Sequence, residues 1–284
     1  MADKKISELL SGSNAQATDE IIVARSGDNF KIAGVDIASS ATHVDNDILI
    51  NGLTAGRGAG DDGESTVLGV NALDANTIGV QNTAIGYNAL TDNTDGYGNV
   101  AVGYQALRLN TSGSDNVSVG NGALSDNTTG DYNVAVGRLA LDSNTTGSLN
   151  VAIGLQACDQ NTTGQYNVAV GDYALHYITT TNESTAIGHQ ALYSATGSKN
   201  TAIGSDAGVS ITTGSKNVIV GSFSGNQGGL DIRTLSNHVV LSDGDGNVRF
   251  YHNGTTVILP SLPTSSAGLP TGALWNDGGT LKIA

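Results

Sequence analysis

Few residues of this 284-residue chain have the types and spacing needed for chemistry. The five histidines, at 43, 176, 189, 238 and 252, are scattered and show no HExxH or paired spacing. A single cysteine, Cys158, excludes an internal disulfide framework and any multi-cysteine metal site. It occupies a leucine slot of the repeat described below and reads as an inert buried thiol. Asp243-Gly-Asp245-Gly-Asn247 resembles part of a calcium loop, but the glutamate at the twelfth position is absent, so a hairpin turn is expected. The glycine-rich run at 56–63 is followed by no Gly-Lys-Ser/Thr and contains two acids, which makes it a flexible lead-in rather than a phosphate loop. Asn127, Asn144 and Asn161 each begin an Asn-Thr-Thr sequon, yet they coincide with repeat turns, and turn geometry accounts for them without sugar. The acids fall in turns or at the ends, with no repeated pair facing a groove, which argues against a glycan-cleaving carboxylate pair. Tyr87, Tyr104, Tyr132, Tyr166, Tyr173 and Tyr177 lie near corners, either as a glycan contact or as solvent-exposed filler. The expectation is a non-enzymatic protein with no cofactor and no metal.

Composition points the same way. Glycine accounts for 39 residues, proline and phenylalanine for 3 each, and charged residues for only 13%. Large apolar side chains are too few for one thick globular core, and charge is too low for an ordinary disordered chain. The net charge is 12 − 26 = −14, or −42 in a trimer, which opposes binding to a phosphate backbone. No apolar run approaches the ~18 residues of a membrane span. The amino terminus has Ser7 and Glu8 where a signal peptide needs an apolar stretch, so neither a cleaved signal nor membrane insertion is expected.

A repeat organises most of the chain. Segments such as NTAIG (82–86), NVAVG (133–137) and NVIVG (217–221) end in glycines at 69, 86, 103, 120, 137, 154, 171, 188, 204 and 221. Every interval is 17 residues except one of 16, between 188 and 204. Alanines from Ala72 to Ala207 and turn glycines from Gly79 to Gly214 keep the same period. One unit reads N-[TV]-A-[IV]-G-x-x-A-L-x-x-N-T-T-G-x-x. Its first residues alternate across a strand, with Val134 and Val136 on one side and Ala135 on the other. The strand-ending glycine suits a positive φ or a close backbone approach, Ala-Leu forms a second short apolar ledge, and Asn-Thr-Thr-Gly turns the chain with its glycine left-handed. Two short strands per unit make one coil of a β-solenoid, and a flattened two-layer roll is expected. A lone coil buries too little to stand alone and must stack on its neighbours. The stripe of Ala84, Ala101, Ala135, Ala152, Ala169, Ala186 and Ala202 reads as a close-packing face for another subunit, hence a cyclic oligomer.

These strands, an alanine between β-branched residues closed by glycine, resemble the head repeats of trimeric autotransporter adhesins over about 65–221. That resemblance implies a homotrimeric parallel β-roll. The ends are similar instead to bacteriophage virion fibres. KISEL (5–9) and TDEIIVARSGDNFKIAGVDI (18–37) are similar to amino-terminal virion-docking segments, which implies attachment through Ile6, Leu9, Ile21, Ile22, Val23, Phe30 and Ile32. The segments 237–254 and 262–284 are similar to closing modules of phage structural proteins, with strand pairs around Asp243–Asn247 and Asn276–Gly279.

The expected architecture is therefore all-β: a trimeric parallel β-solenoid of about ten 17-residue coils with small hairpin modules at both ends. Residues 1–45 form a virion-attachment segment, 46–235 the solenoid and 236–284 a carboxy-terminal β cap or tip. The expected function is that of a phage fibre or spike in the virion, bound to itself, to other virion proteins and to a host-surface receptor, with a glycan as one candidate. The alternatives are a bacterial trimeric surface adhesin and a glycan-cleaving tailspike.

Overall fold

The computed structural model describes residues 48–50, 53–56 and 64–284, all within one compact unit that begins at His43. The proposed attachment residues between 6 and 32 lie outside the described residues. The described chain is all-β and contains no helix. It opens with β1 (Ile48–Ile50) and β2 (Leu53–Gly56). The repeat then contributes one strand per coil: β3 (Thr66–Gly69), β4 (Thr83–Ile85), β5 (Val100–Val102), β6 (Val117–Val119) and β7 (Val134–Val136). The series continues with β8 (Val151–Ile153), β9 (Val168–Val170), β10 (Thr185–Ile187), β11 (Thr201–Ile203) and β12 (Val218–Val220). Neighbouring strands from β3 to β12 pair in parallel and in register, so that Ala84 faces Ala101 and Ala135 faces Ala152. This is the expected parallel β-solenoid of about ten coils, and at ~4.8 Å per strand it rises roughly 45 Å.

Each coil carries one strand rather than two, three residues long in every coil after the first. The Ala-Leu ledge is a turn, because the leucine is left-handed: Leu90, Leu107, Leu124 and Leu141 have φ between 51° and 55°. Such a backbone costs a non-glycine residue of order 1 kcal/mol or more. The return is alignment of N–H groups with neighbouring coils. In the coil of β7, left-handed Leu139 donates to the preceding coil at Asn121 (2.9 Å), Leu141 donates to the following coil at Ala157 (2.9 Å), and Leu149 donates back to Asp131 (3.0 Å). Hydrogen bonding between coils thus continues where no strand exists.

The turn glycine departs from expectation as well. Gly130 and its equivalents are not left-handed; the left-handed residue comes two positions later, at Tyr132, Leu149 or Tyr166. Glycine is required there for space: a Cβ on Gly130 would lie 2.3 Å from the Gly147 carbonyl oxygen and 2.5 Å from Asn127 Oδ1. The strand-ending Gly137 needs both properties, with φ +136° and a virtual Cβ 2.4 Å from the Gly154 oxygen.

The core is thin and layered. In most coils the alanine at the centre of the strand, the following Ala-Leu pair and two asparagines are buried. The turn asparagines 76, 93, 110, 127, 144 and 161 form one ladder: Asn127 Nδ2 donates to Asn110 Oδ1 (2.8 Å) and to the Gly130 carbonyl (3.0 Å), and Asn144 Nδ2 donates to Asn127 Oδ1 (2.7 Å). The asparagines before each strand form a second: the Asn133 backbone N–H donates to Asn116 Oδ1 (2.9 Å), and Asn133 Nδ2 donates to the Gly147 carbonyl (2.8 Å). From Ile178 onward the turn slot turns apolar, with Ala195, Ile211 and Ile232, all buried.

Both ends of the parallel sheet are closed by antiparallel strands. β2 pairs with β1 and with β3 at one end. A small pair, β13 (Asn226–Gln227) and β14 (Leu230–Asp231), interrupts the other. There β15 (Val239–Ser242) continues the parallel ladder onto β12, then pairs antiparallel with β16 (Val248–His252), which pairs with β17 (Val257–Ile258). The expected boundary at 235/236 is therefore crossed by one continuous sheet. The last hairpin, β18 (Leu274–Asp277) with β19 (Thr280–Ile283), forms as expected around Asn276–Gly279.

Replacing Asn127 by alanine leaves the Gly130 carbonyl and two asparagine amides short of buried partners. The expected loss is about 1–3 kcal/mol by denaturant unfolding, against a change within about 0.5 kcal/mol for exposed Thr129→Ala. Equal stability of the two variants would remove the ladder from the list of fold determinants.

Candidate functional site

The strand alternation decides which side chains can meet a partner. Ala84, Ala101, Ala135, Ala152, Ala169, Ala186 and Ala202 are all 0% exposed within a single chain, so they cannot be the subunit contact face. The physical reason is volume: the coil is so narrow that the strand residue facing the ledge must be small. Ser118 takes the same slot only by donating to the Ala123 carbonyl (2.7 Å), while larger Val67 and Ile219 occur only in the first and last coils. The β-branched residues expected in the core point outward instead. One outward column runs Leu68, Ile85, Val102, Val119, Val136, Ile153, Val170, Ile187, Ile203, Val220 and Leu241, without one polar interruption. It is part-exposed along its whole length, reaching 45% at Leu68 and 42% at Ile203. The parallel column holds Thr66, Thr83, Thr185 and Thr201 among valines. Contiguous exposed apolar surface of this kind is characteristic of interaction sites.

The tyrosines do not gather into one site. Tyr87 and Tyr104 stack at 5.4 Å across successive corners and are half-exposed. Tyr132 and Tyr166 stand apart on the left-handed row, and Asp115 beside Tyr132 pushes its hydroxyl above the ordinary tyrosine value. Tyr173 and Tyr177 belong to a different group, with His176 and Tyr193. The His176 ring stacks on Tyr193 at 5.3 Å and meets Tyr177 edge-on at 4.4 Å.

That group ends a row of polar residues that sequence reasoning passed over. The slot following the ledge leucine holds Arg108, Ser125, Asp142, Asp159, His176 and Tyr193 in successive coils. Asp159 and His176 are buried; Asp159 Oδ2 accepts from Gln160 Nε2 (2.8 Å) and lies 3.7 Å from His176 Nδ1. Half-buried Asp142 is held up at about 6 by desolvation first and then by the charges of Asp126 and Asp159, against the opposing pull of Arg108. Arg108 Nη2 also lies 3.5 Å from Asp126 Oδ1. The legible signal was the slot itself: two acids and a histidine at a fixed 17-residue interval, hidden because each alone resembles a turn residue.

The remaining motifs are structural. Asp243 closes the β15–β16 turn, accepting from the Asn247 N–H (2.9 Å) and from Arg249 Nη2 (2.6 Å), and Arg249 holds its carboxyl down at about 2. The sequon asparagines 127, 144 and 161 are fully buried in the ladder, so a folded coil leaves no amide to glycosylate. Among the described residues, no group of three or more His, Cys, Asp or Glu is placed to hold a metal ion. Among the same described residues, no helix is long and apolar enough to cross a membrane.

The architecture defines the class as a capped parallel β-solenoid with an apolar outer sheet face. No known protein family, curated protein or solved structure matches this chain.

Cys158 fills a leucine slot at 0% exposure, and burial, then the Asp159 charge, pushes its thiol far above the usual range. A thiol reagent at pH 8 is expected to leave the native protein unlabelled and to modify one thiol per chain in denaturant. Rapid native labelling would contradict the packed ledge.

Proposed function

We propose that the chain is a structural, non-enzymatic component of a phage fibre or spike, homotrimeric and carried on the virion, which attaches to a host surface by multivalent binding. The observation that carries self-association is the uninterrupted column from Leu68 to Leu241. A partner covering it must offer apolar side chains at the same strand spacing over the same ~45 Å. A second copy of the chain meets both conditions, and cyclic closure about an axis along the rod covers the column on every subunit. The virion reading is supported by the resemblance of the two ends to phage fibre segments. Residues 1–45 supply the anchor, the solenoid supplies reach, and linked copies convert weak contacts into avidity.

Light scattering after size exclusion tests the association. The wild-type chain is expected well above its 28.7 kDa monomer mass at micromolar concentration. Val119→Lys, Val136→Lys and Ile153→Lys together remove three outward apolar groups worth ~1–2 kcal/mol each on burial. The triple variant is expected to run as a folded monomer, with association weakened at least ~100-fold. A wild-type monomer, or an unchanged oligomer in the variant, overturns this interface.

The anchor is tested separately. Deleting residues 1–37 is expected to abolish incorporation into virions while leaving the oligomer and its β-sheet circular dichroism intact. Normal incorporation of the truncated chain would refute the docking assignment.

A further inference from the structure

Two rows flank the apolar column, and their chemistry changes from coil to coil. One stands two residues before each strand and runs Asp115, Tyr132, Leu149, Tyr166, Glu183 and Lys199 from β6 to β11. The other stands two residues after each strand, at the corner, and runs Asn121, Arg138, Leu155, Asp172, His189 and Ser205 over the same coils. Every member is exposed or part-exposed, with Tyr132 at 54% and Tyr166 at 56%. Within one chain the strand separates the two rows. A rotation about an axis along the rod leaves each coil at its own height, so the first row of one copy comes to the corner row of the next at the same level. The rows then match. Tyr132 meets the Arg138 guanidinium, Leu149 meets Leu155, Tyr166 meets the Asp172 carboxylate and Glu183 meets His189. No level from β3 to β12 sets two like charges opposite each other.

We infer that these two rows set the register of the self-association proposed above: copies lie parallel, coil against equal coil, and the rows reject slipped and end-for-end pairings. The inference rests on that self-association, in which the column supplies the attraction and the rows supply the alignment. The sharpest match is between two pairs that each chain already holds. Lys199 Nζ lies 3.4 Å from Glu183 Oε1 on the first row, and His189 Nδ1 lies 3.6 Å from Asp206 Oδ1 on the corner side. Rising from β10 to β11, the first pair runs carboxylate then ammonium, and the second runs imidazole then carboxylate. Copies in register therefore set carboxylate on imidazole and ammonium on carboxylate. A slip of one coil sets Glu183 on Asp206 or Lys199 on His189 instead. A copy turned end for end over the whole column pivots on Ile153 and lays each row on itself. That arrangement joins Arg138 to Asp172 but sets Asp115 on Glu183 and Lys199 on Gly98.

Exchanging the charges within one pair tests this on the full chain, because each chain's own pair survives with its polarity reversed. Glu183→Lys with Lys199→Glu is expected to weaken association about ten-fold, read by light scattering over a range of concentrations, as two exposed pairs turn repulsive. His189→Asp with Asp206→Lys is expected to do the same, and all four changes together to restore the wild-type strength. Cysteines in a Cys158→Leu background read the register directly. Three extended strand residues, about 10 Å of chain, separate positions 149 and 155, beyond the ~7 Å Cα separation that a disulfide spans. Leu149→Cys with Leu155→Cys is expected to join neighbouring copies covalently, on oxidation or with a short bismaleimide, and neither single variant is. A wild-type monomer would overturn the self-association and the register together. An oligomer would overturn the register alone, leaving the apolar interface standing, on any of three results: the charge exchanges change nothing or the fourfold variant stays weak, the cysteine pair fails to join, or Leu149→Cys joins copies by itself.

Discussion

The structure depends on backbone hydrogen bonding between coils held in register around the whole circuit. Strands supply only three residues of most 17-residue units, yet bonds from one coil to the next recur at the corner, the ledge and the turn. This continuity requires neighbouring backbones to approach within strand spacing everywhere. At the strand-ending glycines the approach leaves no room for a Cβ, which would meet the next coil's carbonyl oxygen at 2.1–2.7 Å from Gly69 through Gly204. The left-handed leucines are a second consequence, since their geometry turns each ledge N–H toward a neighbouring carbonyl.

Close stacking also sets the interior. A coil with one narrow strand side can house alanine opposite the ledge and little more. The buried asparagines solve a different problem. Turns carry backbone carbonyls into the core, and each asparagine amide satisfies one of them while bonding to the asparagine of the next coil. A buried polar row is tolerated because every member is paired. Where the row ends at Asn161, apolar residues fill the slot from Ile178 onward.

The outward strand face follows from the same constraint. With alanine inside, the β-branched residues that favour an extended backbone must face out, and repetition lines them into a single apolar column. The antiparallel strands at both ends give the terminal strands of the parallel ladder a partner, so open edges do not invite end-to-end growth. The solenoid is thus closed along its axis and apolar across one face, the combination that lateral association between copies requires.

The sequence by itself determined the solenoid, its coil count and period, the close approach at each strand-ending glycine and the two carboxy-terminal hairpins. Those features rest on spacing and on local backbone preference, both of which are written residue by residue. It also determined that alanine and its β-branched neighbours lie on opposite faces, but not which face is the core. Alternation is symmetric under exchange of inside and outside, and hydrophobicity favoured the wrong choice, valine in and alanine out. Only the tertiary structure decided it, because the width of the coil is a property of the closed circuit and not of any five-residue window. The same holds for the ledge. Asp142, Asp159 and His176 are 17 residues apart in sequence and become neighbours only when the coils stack, and that stacking supplies the burial and the neighbouring carboxylates that raise the Asp142 carboxyl above its ordinary value.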